Sequence, residues 1–150
     1  MSTTMAIIIQ PARPENLPEL VQLLTQNQLP VEDLPVDLPN FWLAFDGEKL
    51  VGSIGVDVYE NVGLLRSLCV DATHRNRPVA RQLCDRAFDE AKRQAISTLY
   101  LLTTTADQYF QRLGFAPVDR STVPDAITKT SQFSSLCPSS ATVMKLTQAV

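Results

Sequence analysis

The sequence predicts an α/β domain, a mixed sheet of about seven strands with helices on both faces. Two observations carry that prediction. Short apolar runs of strand length alternate with stretches in which apolar residues recur at helical spacing. Three strand-like runs, 41–45, 50–59 and 64–70, follow one another with only turns between them, while later runs are separated by helical stretches. A strand meander followed by a βαβ arrangement gives a mixed, mostly antiparallel sheet.

Each element has its own signal. Residues 5–10 (MAIIIQ) are a first strand closed by Pro11. Leu17, Leu20, Val21 and Leu24 recur at helical spacing behind Pro14, so 15–27 is a helix. Residues 28–40 hold three prolines and several acids and form an irregular or short helical connection. The strands 41–45 and 50–59 are joined by Asp46-Gly47, a hairpin signal, and the chain turns near Gly63 into the strand 64–70. Val79, Leu83, Ala87, Phe88 and Ala91 make one apolar helical face. Residues 98–104 read as a buried strand, 107–113 as a short helix ended by Gly114, and 115–118 as a strand. A weakly helical stretch, 121–135, precedes a last strand at 141–146.

Composition narrows the class. A chain of 150 residues is expected to be a single domain, 1–150, burying roughly 68–70% of its unfolded surface. The hydrophobic fraction is 45% and the charged fraction 19%, an ordinary globular balance. A net charge of −3 gives no electrostatic reason to expect a nucleic-acid partner. The apolar runs are too short to span a bilayer, and MSTTMAIII lacks the pattern of an export signal. Three cysteines, Cys69, Cys84 and Cys137, are odd in number and lack metal-type spacing, so no metal and reduced thiols in a cytoplasm are expected.

The most informative stretch is HRNRPVARQL, 74–83, where a polar turn gives way to an apolar helix. Within it Arg75, Arg77 and Arg81 stand beside Pro78, with no glycine. From the residues alone two readings stay open: a phosphate-binding loop without glycines, or a solvated basic turn before a proline-started helix.

With its surroundings, LRSLCVDATHRNRPVARQL at 65–83, this stretch resembles the GCN5-related N-acetyltransferase (GNAT) superfamily, and the resemblance covers nearly the whole chain. Leu68-Cys69-Val70 matches the strand end and Arg75-x-x-Pro78-x-Ala80 the loop that opens a helix. The resemblance implies that the main chain of Leu68, Cys69 and Val70 pairs with the pantetheine arm of acetyl-CoA. It also implies that Arg75, Asn76, Arg77, Val79, Ala80 and Arg81 hold its pyrophosphate, as unpaired helix-end donors do. A second stretch, TTTADQYFQRLGF at 103–115, looks like the family's strand, short helix and Leu-Gly-Phe, which flank the thioester. The implied activity is acetyl transfer from acetyl-CoA to a small-molecule amine by direct attack, with a homodimer left open. LYLLTTTADQYFQRLGF together with SQFSSLCPSS is similar to small acetyltransferase-like proteins of bacterial arsenic-resistance gene clusters.

The departures point to a modified site. Asn76 and Pro78 replace the family's glycines, and the proline removes a donor whose loss to a charged group costs about 1.5–3 kcal/mol. The family's acid is a tyrosine at the position of Phe110, whereas here the tyrosine is Tyr109, about 100° away around the helix. Tyr109 is the candidate acid, and Phe110 a candidate wall against the coenzyme's sulfur. Arg66 and Ser67 stand where a carboxylate base is common, leaving Asp57 and Glu60 on the neighbouring strand as weak substitutes. His74 reads as a turn residue, Cys69 and Cys84 as small buried hydrophobes, and Cys137 as exposed. Thr103, Thr104 and Thr105 end a strand and serve either substrate or strand. The alternatives are a catalytically degenerate acyl-CoA-binding module and a thiol-based arsenic accessory protein.

Overall fold

The computed structural model describes residues 7–29, 31–74, 78–103, 106–130, 133 and 141–148. Consecutive isoleucines open the described chain as β1 (Ile7–Pro11), which pairs antiparallel with β2 (Phe41–Asp46) from Ile7↔Asp46 to Pro11↔Trp42. β1 is an edge strand, the place where a proline breaks no ladder on its outer side. β2 pairs antiparallel with β3 (Lys49–Tyr59), and their turn is Gly47-Glu48, one residue later than expected, because Asp46 itself pairs with Lys49. Gly47 has φ +63°, which a hairpin turn of this length asks of its first central residue.

β4 (Val62–Val70) follows, and its connection to β5 (Thr98–Thr103) contains α2 (Val79–Arg93). Val62, Gly63 and Leu64 pair in parallel with Thr98, Leu99 and Tyr100, a geometry that requires such a crossover. β7 (Thr142–Thr147) runs antiparallel to β5 over six pairs and takes β6 (Ala116–Pro117) on its other edge. The order β1-β2-β3-β4-β5-β7-β6 is the seven-strand mixed sheet that the sequence predicts.

Two compact units divide the described residues: one ends at Gly55 and resumes over Ser67–Glu90, the other comprises Val56–Arg66 and the chain from Ala91 on. In the first unit α1 (Leu17–Gln26), preceded by a 3₁₀ turn at Pro14–Asn16, buries Leu20, Leu23 and Leu24 against Phe41, Leu43 and Leu50. The 28–40 connection forms no regular helix among its described residues, but Leu38 folds back into this core at φ +48°. The second unit's core gathers Leu64, Tyr100, Val123, Ile127 and Val143. In the weakly helical stretch 121–135, the described residues up to 130 form a 3₁₀ turn at Arg120–Thr122 and a single turn, α4 (Asp125–Thr128), with Pro124 between them. Phe133 is again helical, and 131, 132, 134 and 135 lie outside the described residues. The strand expected over 115–118 shortens to Ala116–Pro117. Among the described residues no helix is long and apolar enough to cross a membrane.

The helix ends share one device. After α1, α2 and α3 (Asp107–Arg112) the chain passes through a left-handed residue, at Gln28, Ala95 and Gly114 with φ of 61°, 59° and 104°. The next residue's N–H then reaches back five positions: Leu29 to the Leu24 carbonyl at 2.9 Å, Ile96 to Ala91 at 2.8 Å, Phe115 to Phe110 at 3.0 Å. These are Schellman caps, which usually place glycine at the left-handed position. Only α3 has it, as Gly114 was expected to provide. A side chain there costs roughly 1–2 kcal/mol, partly offset in a glycine variant by the looser unfolded chain. Ala95 is exposed, so Ala95→Gly is expected to raise the unfolding free energy by about 0.5–1 kcal/mol in urea titrations, while Gly114→Ala lowers it.

Candidate active site

In the first unit the end of β4, the 3₁₀ turn Ala72–His74 and the start of α2 lie in sequence. The approach of α2 to the sheet is set by Gly52 on β3. A Cβ there would stand 3.1 Å from Leu83 Cδ1 and 3.2 Å from both the Cys69 carbonyl oxygen and Val79 Cγ1. The structure therefore brings Cys69 and Val79 together, as the resemblance requires of the strand end and helix start. Both side chains are buried, which leaves the main chain of these residues to serve a ligand. Pro78 immediately precedes α2, and its carbonyl accepts the Gln82 N–H at 3.0 Å. The proline thus begins the helical ladder as an acceptor. The amides of Val79, Ala80 and Arg81 occupy the first turn, where a helix has no carbonyl further back to pair with. Arg81 is exposed, and its Nε donates to Asp85 at 3.0 Å. Arg75, Asn76 and Arg77 lie outside the described residues.

The turn before them is braced. His74, buried, donates from Nε2 to Asp46 at 2.9 Å, the carboxylate being an acceptor only, and its Nδ1 is 2.8 Å from the Thr73 hydroxyl. Thr73 also donates to Asp71, which Lys49 approaches to 3.5 Å. His74 is thus the turn residue that the sequence suggests, and it ties the turn to the end of β2. The Thr73 hydroxyl first, then Lys49 and His74, hold the Asp71 carboxyl below its ordinary value of 3.8 against the opposing effect of burial.

In the second unit Thr103 ends β5, and its hydroxyl accepts the Ala106 N–H at 2.9 Å, so this threonine serves the entry to α3. Thr104 and Thr105 lie outside the described residues. On α3 the rings of Tyr109 and Phe110 meet edge to face at 5.5 Å, and Phe110 meets Phe115 at 5.6 Å. The Tyr109 hydroxyl is buried, and Arg112 lies over its ring at 5.8 Å. Phe110 is buried. Asp57 is engaged by Arg66, whose side chain is 1% exposed, at 3.1 Å. Glu60 is not on the strand as expected, but in the β3–β4 turn at φ +58°. Leu68, Cys69, Val70, Val79, Ala80 and Arg81 therefore belong to the first unit, and Tyr109 and Phe110 to the second.

Cys69 and Cys84 are buried free thiols, as expected. Burial, aided by the Asp85 charge, pushes the Cys84 thiol up to about 12, which removes it as a nucleophile. Cys137 lies outside the described residues, and among those described no group of three or more His, Cys, Asp or Glu side chains is arranged to hold a metal. The sequence reading missed Gly52 and the conformation of Ser67, which has φ +57° inside β4. Glycine in an apolar strand was the only available signal for the first, and Gly55 in the same strand gives the same signal.

A model of the acetyltransferase (GNAT) domain matches residues 37–117, more than half of the chain, and the chain belongs to that family. The particular relatives are enzymes of amino-acid acetylation by name. The amino-acid acetyltransferase of Escherichia coli (strain K12) is 31% identical over 67 residues, 45% of this chain and 15% of that protein. This chain therefore spans a small part of that relative's length. Among solved structures, N-acetylglutamate synthase from Neisseria gonorrhoeae, complexed with coenzyme A and L-arginine, superposes with a TM-score of 0.81 at 17% identity, covering 96% of this chain and 34% of that one. A GNAT-family acetyltransferase from Staphylococcus aureus Mu50 superposes with a TM-score of 0.73 at 23% identity, covering 95% of this chain and 99% of that one. These likenesses show the fold.

The braced turn has a pH signature. A carboxyl depressed in the folded state stabilises fully above its unfolded value and loses that contribution as pH falls through the folded value. In urea titrations at stepped pH, the stability advantage of the native chain over Thr73→Val is expected to be flat at neutral pH and to shrink below 3.8. An advantage that grows on acidification contradicts the assignment.

Proposed function

We propose that this chain is an acetyl-CoA-dependent N-acetyltransferase acting on the amine of a small molecule, with amino acids the first class to test. The observation that carries the reading is the strand end, braced turn and helix start built around Gly52, inside the segment that matches the family. The names of the relatives support the choice of amino acids, and the coenzyme A of the Neisseria gonorrhoeae complex supports the choice of cosubstrate.

Acetyl-CoA supplies an acetyl thioester: a C–N bond forms as the C–S bond breaks, the amine gives up a proton, and the thiolate takes one. The chain's own residues then have distinct duties. The main chain of Leu68, Cys69 and Val70 runs along the pantetheine arm, and an amide of this stretch polarises the thioester carbonyl. The first-turn amides of Val79, Ala80 and Arg81, with Arg75, Asn76 and Arg77 before them, hold the pyrophosphate at the positive end of the α2 dipole. These residues fit the group, since buried side chains at Cys69 and Val79 leave backbone on offer, and Pro78 withdraws one donor only. Phe110 excludes water near the sulfur, and Tyr109 is the proton donor. The protein works in the cytoplasm. An arsenic-linked setting is proposed on the resemblance of LYLLTTTADQYFQRLGF and SQFSSLCPSS alone, and the burial of Cys69 and Cys84 gives a thiol-based role no support.

Acetyl-CoA at 100 times its dissociation constant is expected to add about 2.7 kcal/mol to stability, read as a higher melting temperature. Amino acids offered as acceptors then release coenzyme A, measured with a thiol reagent. Binding without thiol release from any amine supports the degenerate module instead. Charge reversal at Arg75 or Arg77 weakens coenzyme binding, most at low salt, where screening is small. Tyr109→Phe is expected to lower kcat by about 10²–10⁴-fold with coenzyme affinity intact. An unchanged kcat removes Tyr109 from the mechanism.

A further inference from the structure

Ser67 stands inside β4 with φ +57°, in the left-handed region that a β-carbon disfavours. The other left-handed non-glycine residues described, Gln28, Leu38, Asn40, Glu60 and Ala95, lie in loops, turns or helix ends. Such a residue within a strand redirects the chain that follows it, and it persists only where its surroundings enforce it. One enforcing contact is on the adjacent strand. Ser53 of β3, fully buried, donates its hydroxyl proton to the Ser67 carbonyl at 2.7 Å.

The peptide plane carries that contact onward. The Ser67 carbonyl and the Leu68 N–H belong to one planar trans unit, so they point in opposite directions. Pinning the oxygen toward Ser53 therefore aims the Leu68 N–H away from Ser53. A carbonyl that accepts a hydrogen bond also polarises its amide, which makes the N–H a stronger donor. Leu68 opens the stretch to which the acetyltransferase reading gives the thioester carbonyl. We infer that Ser53 is a positioning residue, acting through the Ser67 carbonyl to orient and strengthen the Leu68 amide as the donor to the acetyl oxygen. The inference rests on that reading. Serine suits this position, being small enough for a strand that carries glycines at 52 and 55 and having one proton to give.

The test is isotope-edited infrared spectroscopy of acetyl-CoA, labelled with ¹³C at its carbonyl, bound to the full chain. A carbonyl polarised by a strong donor absorbs at lower frequency than in water. In Ser53→Ala the band is expected to move back toward its free position, while affinity for coenzyme A without the acetyl group is unchanged. Ser53→Cys, similar in size with a weak S–H donor, is expected to fall between. Should the alanine variant not fold, native chain against Ser53→Cys carries the same comparison. With an accepting amine in hand, kcat of Ser53→Ala falls by roughly tenfold, short of the 10²–10³-fold loss on removing such a donor outright. An unmoved band in a folded variant overturns the inference alone. So does an unmoved band with coenzyme A affinity and melting temperature falling together, the mark of a purely structural residue. A native chain that binds no acetyl-CoA overturns the acetyltransferase reading, and this inference with it.

Discussion

How closely a helix can approach a strand is the constraint on which the first unit depends. At Gly52 the absence of a single carbon lets Val79 and Leu83 seat against β3 and Cys69 against both. Protein interiors are packed densely enough that a contact near 3.1 Å leaves little room for relief by small shifts. The position of α2 therefore follows from residue 52, and the first-turn amides of that helix follow from the position of α2. The 3₁₀ turn Ala72–His74 that follows β4 is fixed independently by His74, which buries its ring and bonds to Asp46 at the far end of β2. Helix and turn are thus held from two sides by interactions that use no ligand. A site built on backbone amides needs this kind of support, because an amide has no rotamer with which to correct a misplaced chain.

The strands 41–45, 50–59 and 64–70 and the apolar face of α2 were legible because their signals are periodic and local. The parallel step from β4 to β5 followed from the helix between them. What escaped was non-local or left-handed. The insertion of β7 between β5 and β6 depends on pairings between residues far apart in the chain, such as Ala116 and Lys145, which no window of sequence reports. The weak helical spacing of 121–135 did not show that Pro124 would divide its first part into a 3₁₀ turn and a single α-turn. Gln28, Leu38 and Ala95 adopt a conformation that sequence reading assigns to glycine, and this chain has only five glycines to mark such places. Within the candidate site, the strand end and helix start were legible through a motif, whereas Ser53 belongs to none. Its role exists only because a carbonyl on the next strand turns toward it.

Phe110 has a duty in the fold of its own, in the cap that ends α3. In that cap the Phe115 N–H returns to the Phe110 carbonyl, and the two side chains meet, with ring centroids 5.6 Å apart. A Schellman cap is completed by such an apolar contact between these two positions. Position 110 is therefore asked for an apolar ring by the fold, quite apart from chemistry, and it is buried. A hydroxyl there needs a partner or costs free energy on desolvation. Tyr109 meets the Phe110 ring edge on and also carries a buried hydroxyl, while Arg112 covers its face. In this chain the aromatic that closes the helix, Phe110, and the tyrosine beside it are separate residues. Exchanging them tests the cap as much as the chemistry: Phe110→Tyr adds a hydroxyl to the contact that ends α3, so any rate it gains has to be read against the stability it loses.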